Sequence, residues 1–147
     1  MKQKRSIWFG VKTLYRTHAI GRPAARDRLF DPSLTLVEER VVLVRAKNHA
    51  EAIRKAERQA RRYAAFVTWR NPYGQRLRVR YIQACNSYEL PDPPLAGAEV
   101  FSDTFLVKKS VPDRELIASR VLPNESKTLH SKRRNFRDEK FNKPAGA

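Results

Sequence analysis

The amino-acid sequence predicts an α+β fold, with one main helix packed on a mostly antiparallel sheet of about four to five strands in β-β-α-β-β-β order. Three observations carry this expectation. Apolar residues alternate with a period of two in several short stretches. A helical period occurs in only one long stretch, which begins at Asn48. Strand-like and helix-like stretches do not alternate regularly, which argues against a parallel, doubly wound sheet. A chain of 147 residues suits one domain. That domain is expected over residues 6–121, with 122–147 as a basic, disordered tail.

The first strand is expected at 6–16, where Ile7, Phe9, Val11 and Tyr15 point one way and Trp8, Lys12 and Leu14 the other. Its aromatic and β-branched side chains suit a pleated surface. Gly10 inside it signals a bulge or a close backbone contact. Residues 17–35, with Gly21, Pro23 and Pro32, read as a long loop. A loop of that length in a small domain is either functional or mobile. The second strand, 36–46, is apolar on both faces from Val41 to Val44, which predicts a central position.

The helix has an N-cap at Asn48 and a capping-box partner at Glu51. Ala50, Ile53, Ala56, Ala60 and Ala64 are its expected inner face. Glu51–Lys55 and Glu57–Arg61 are spaced as favourable ion pairs. A hairpin is expected next, from strands at 66–70 and 76–88 joined by Asn71-Pro72-Tyr73-Gly74. Arg76, Arg78 and Arg80 fall on one face of its second strand, with a shift of alternation at Ile82 that suggests a bulge. A last strand is expected at 99–108 and a short helix at 113–121, after Pro112. Beyond Leu122 apolar residues are too sparse to bury a face.

The formal charge is +16, and it is spread along the chain. Residues 1–35 hold eight basic and two acidic groups, 36–121 hold 16 and 10, and 122–147 hold seven and three. Such a field attracts nucleic acid and other anionic surfaces without specificity. A solvated, arginine-biased surface gives the same total. Cys85 is the one cysteine, so no internal disulfide is possible. No apolar run approaches membrane-spanning length, and the basic start lacks a cleavage signal, so the expected location is the cytoplasm.

The phrases WFGVKTLYR (8–16), EERVVLVRAKNHAEAIRKAE (38–57), NPYG (71–74), YIQACNSYEL (81–90) and GAEVFS (97–102) resemble, in order and spacing, a bacterial family called domain of unknown function 4288. The resemblance covers about residues 7–106. It implies a small α+β core and carries no activity with it. The loop at 17–35 and the tail after Ser102 are longer, and the charge more basic, than that family's pattern.

No catalytic or cofactor motif is present. His18, His49 and His130 are scattered without metal-ligand spacing. Cys85 has no base near it in sequence and reads as a buried, inert thiol. Glu39 and Glu99 would approach one another if the last strand paired with the second, which is the basis of an enzymatic alternative through paired carboxylates. The leading expectation is a non-enzymatic binding module for nucleic acid or an acidic protein partner. Its candidate residues are Arg54, Arg58, Arg61 and Arg62 on the helix, Arg76, Arg78 and Arg80 on the hairpin, and Lys132, Arg133 and Arg134 in the tail. Trp69, Tyr73 and Phe136 lie near them in sequence. The other alternative is an accessory or immunity-type protein that holds one protein partner at a sheet edge or through the 17–35 loop.

Overall fold

The first alternating stretch forms β1 (Ile7–Ile20), which runs past Arg16 to Ile20. β2 (Leu36–Ala46) and β3 (Arg76–Glu89) flank it, both antiparallel. The structure, a computed structural model, describes residues 5–66, 68–120 and 126–137. Among them the sheet has three strands, in the order β2-β1-β3. The sequence had suggested more strands and a central β2. β2 is instead an edge, and its outer-face residues Val41 and Leu43 stay partly exposed. β1 takes the centre because both long partners pair along it.

α1 (His49–Phe66) crosses one face of the sheet. Asn48 caps it by accepting from the Glu51 amide at 2.9 Å, and the Glu51 carboxylate reaches back to the Lys47 amide at 2.9 Å. Ala52, Ala56 and Ala60 are its buried residues, whereas Ala50 is exposed. These small side chains let α1 lie close on Phe9, Val11, Val44 and Ala46. Burying a side chain of the size of Phe9 or Val11 contributes roughly 1.5–3 kcal/mol. Tyr15, Tyr63 and Tyr81 close the far end, with ring centroids of Tyr15 and Tyr63 5.1 Å apart. Tyr63 donates to Glu38 and Tyr81 to Glu57; burial, then these bonds, pushes both phenols up to about 12. Glu57 is thus taken by Tyr81, while Glu51 pairs with Lys55 at 2.9 Å as its spacing suggests.

Two expected strands do not form. α1 continues to Phe66, and the 66–70 segment contributes only a single bridge, Arg70 to Arg76. The 99–108 segment has no regular structure because it crosses the sheet instead of running along an edge. Gly10 explains the crossing: a Cβ there would overlap the Val100 carbonyl oxygen. Phe101 packs near Tyr88 on the same side, with Lys12 5.0 Å from its ring centre. β3 skips register at Ile82, as the alternation suggested, and again at Cys85. α2 (Asp113–Arg120) follows Pro112.

The tail also departs from expectation. Ser126 caps α3 (Lys127–Ser131), and a 3₁₀ segment (Lys132–Phe136) completes a docked hook. Its buried Asn135 donates to the Leu29 carbonyl at 2.7 Å and accepts from the Asp31 amide at 3.0 Å. Asn71 in turn donates to the Asn135 carbonyl at 2.8 Å. Gln75 ties the same turn to Gly21 at 2.8 Å. The loop after β1, the Asn71–Gln75 turn and the hook are therefore one polar knot. Paired amides and the buried ring of Phe136 together order this part of the tail. The rest of 122–147 lies outside the described residues.

Candidate anionic-partner interface

The register of β3 on β1 sets one exposed cationic row. Arg76, Arg78 and Arg80 oppose Ile20, His18 and Arg16. Directly opposed residues share a face, and here it is the face turned away from α1. Leu77, Val79 and Tyr81 take the α1 side. Arg16, Arg76, Arg78 and Arg80 are all exposed. None of them has an ion-pair partner among the described residues. Arg16 and Arg80 are a direct cross-strand pair of like charges, an arrangement that costs a few tenths of a kcal/mol when nothing bridges them. Sequence reasoning missed Arg16, because only the strand pairing reveals it.

The helix arginines sit on the other side of the sheet and do not merge with this row on one face. Arg54, Arg58, Arg61 and Arg62 are exposed on α1. Arg61 lies 5.7 Å from the Tyr81 ring centre and faces a groove of about 600 Å³ along the outer edge of β3. Ala64, Ala65 and Thr68 form one wall of that groove and residues 76–81 the other. Phe66 is 81% exposed and Trp69 58% exposed, each next in sequence to a lining residue, Ala65 and Thr68. Arg58 and Arg62 line a second groove, also about 600 Å³, with Trp8 and Arg45 at the β2 edge.

The tail cations are placed differently. Lys132 pairs with Asp31 at 2.9 Å, and Arg134 with Asp27 at 3.3 Å. Hydrogen bonds from Ser33 and then Lys132 hold the Asp31 carboxyl down at about 2. Asp27 is lowered by the Tyr73 hydroxyl first, donated at 2.7 Å, with the Leu29 amide assisting. Arg133 is half-buried beside Leu36 and Leu129. Lys132 and Arg134 hold the hook to the loop and are not a free basic arm. Tyr73 and Phe136, expected near the binding residues, are buried in the knot, 3% and 6% exposed.

The carboxylate pair does not assemble by the route expected. Residues 99–108 do not pair with β2. Glu39 lies 3.9 Å from Lys12, and Glu99 accepts a hydrogen bond from Tyr88 on the opposite edge strand. Cys85 is exposed, not buried, because it is the extra residue of the second bulge. His49 bonds to Ser87 at 2.6 Å and packs its ring against Phe9. Among the described residues no three His, Cys, Asp or Glu side chains are grouped to hold a metal. No helix among them is long and apolar enough to cross a membrane.

No curated protein and no solved structure matches the chain. The family model described as a domain of unknown function, DUF4288, matches residues 8–102, which take in β1 from Trp8 onward, β2, β3, α1 and the crossing at Gly10. The hook at 126–137 lies outside that match. With well over half of its length inside the match, the chain belongs to the DUF4288 family.

Proposed function

We propose that this is a cytoplasmic, non-enzymatic binding protein that holds a polyanionic partner, nucleic acid or an acidic protein, on the arginine row of its sheet. The observation that supports the reading is the unbridged Arg16–Arg80 pair, continued by Arg78 and Arg76. A fold gains nothing by setting like charges opposite each other. An anion laid across them would turn that repulsion into charge-assisted hydrogen bonds. Arg61 and the α1 arginines extend the positive field around the edge of β3.

The test is retention of the full chain on heparin, with elution followed as salt rises. Contact with several phosphates or sulfates predicts binding at about 50 mM salt that weakens steeply with salt. The double variant R78E/R80E is expected to elute much earlier with its fold intact. Unchanged elution of that variant, or no retention of the parent, removes the proposal. Affinity purification with and without nuclease separates the two kinds of partner. A stoichiometric protein that survives nuclease supports the acidic-protein version, and would also fit an accessory or immunity-type role.

A further inference from the structure

We infer that the β3 edge groove is built for single-stranded nucleic acid, with phosphates on the arginine row and bases stacked on Trp69 and Phe66. This rests on the anionic-partner reading and narrows it. The first argument is spacing. Alternate residues along a strand advance about 6.6 Å. The backbone positions of Arg76, Arg78 and Arg80 therefore repeat at close to the spacing of successive phosphates on an extended single strand.

The second argument is the pair of exposed aromatics. Phe66 and Trp69 are 81% and 58% exposed and three residues apart, so two flat apolar faces are open to a stacking partner. Their place is fixed. The Trp69 carbonyl accepts from the Leu77 amide at 2.7 Å, and Arg70 bridges to Arg76, so Trp69 lies opposite Leu77, on the α1 side of the edge whose other side carries the arginine row. Phe66 ends α1, next to Ala64 and Ala65 on the groove wall. These alanines and Thr68 are small, which leaves the groove wide enough to admit a base. A cationic track with flat rings beside it is the arrangement that binds single strands without sequence preference.

The third argument is what the alternatives leave unused. A purely acidic chain such as polyglutamate satisfies the arginines and leaves both rings in water. A duplex offers phosphates while keeping its bases paired and stacked away from the rings. An unpaired strand supplies both chemistries, phosphates to one side of the β3 edge and bases to the other.

The experiment uses the full chain with a labelled thymidine 20-mer, the same strand annealed to its complement, polyglutamate, and heparin. The single strand is expected to bind more tightly than the duplex or polyglutamate at equal salt and to quench tryptophan fluorescence. With four phosphate contacts, the logarithmic salt slope is about −3. F66A/W69A is expected to lose tenfold or more in affinity for the thymidine strand, since both stacking faces are removed. The same variant keeps the parent's heparin elution and thermal midpoint, because both side chains are exposed. R78E/R80E weakens every polyanion. Equal or tighter binding of duplex or polyglutamate overturns the inference, as does unchanged strand affinity in F66A/W69A. Either of those results leaves the anionic-surface reading standing if heparin is retained. Failure to bind heparin and every other polymer sinks both.

Discussion

The basic residues of the tail and those of the sheet look alike in sequence and end in opposite situations. Lys132 and Arg134 each meet a carboxylate of the loop after β1, at 2.9 and 3.3 Å. Arg16, Arg76, Arg78 and Arg80 meet none among the described residues and crowd each other across two strands. The difference teaches that a count of positive charge says little about charge available to a partner. What matters is whether the fold brings an internal anion to each cation. The hook does so because Asp27 and Asp31 lie on the loop it covers. The open sheet face does not, because nearby Glu39 is drawn to Lys12.

Substitutions that break one side of this comparison and spare the other give the clearest checks. The largest effect is expected from N135A. It strips the partners from the Leu29 carbonyl and the Asp31 amide, which costs about 2 kcal/mol or more. Urea melts read the loss, limited proteolysis shows the hook released, and heparin elution stays near that of the parent. G10A comes next. It forces the Val100 carbonyl off the sheet and is expected to cost about 1–3 kcal/mol, the range for overpacking a tight contact. Denaturant midpoints measure it.

Acid should act on the hook before the sheet. The Asp31 carboxyl is held at about 2 when folded, below its ordinary 3.8. Its stabilising contribution is full above the ordinary value and is lost as pH falls from there toward 2. Proteolysis of the hook is therefore expected to rise across that window, and D31N should flatten the rise. The smallest effect is expected from R16Q. Removing one of two opposed charges should raise stability by a few tenths of a kcal/mol while moving heparin elution to lower salt. Thermal melts and the same column read both signs. A loss of stability would mean that Arg16 has a structural partner rather than a binding role.

These contrasts also mark what the sequence made legible. α1 was readable because its cap, its period and its charges all agree locally, from Asn48 through the buried Ala52, Ala56 and Ala60. The side assignment of Arg76, Arg78 and Arg80 was readable for the same reason, since alternation is a property of one strand. Which strand lies opposite was not. Arg16 joins the row only through a register set between residues some 60 positions apart. β2 looked central because valines cover both of its faces, and local composition does not reveal that β1 bonds two partners. Residues 99–108 have strand-like composition, but the absent side chain of Gly10 invites them over the sheet. The knot was hidden because Asn71, Gln75 and Asn135 read alike whether they face water or each other. Exposed Trp69 and buried Tyr73 stand four residues apart, and only the turn between them separates their fates.

The doubled skip in β3 has a consequence for how the molecules behave in a crowd. β3 is a 14-residue edge strand, and beyond the short Arg70 bridge its outer hydrogen-bonding groups face no strand among the described residues. Such an edge is a template for pairing with another copy, and from there for aggregation. The bulges at Ile82 and Cys85 break its regularity, and the three arginines before them repel an identical neighbour. The arginine row thus also guards the edge. Neutral substitutions there are expected to make the protein self-associate at high concentration, whereas glutamates keep it apart, which favours charge reversal over alanine for probing the row.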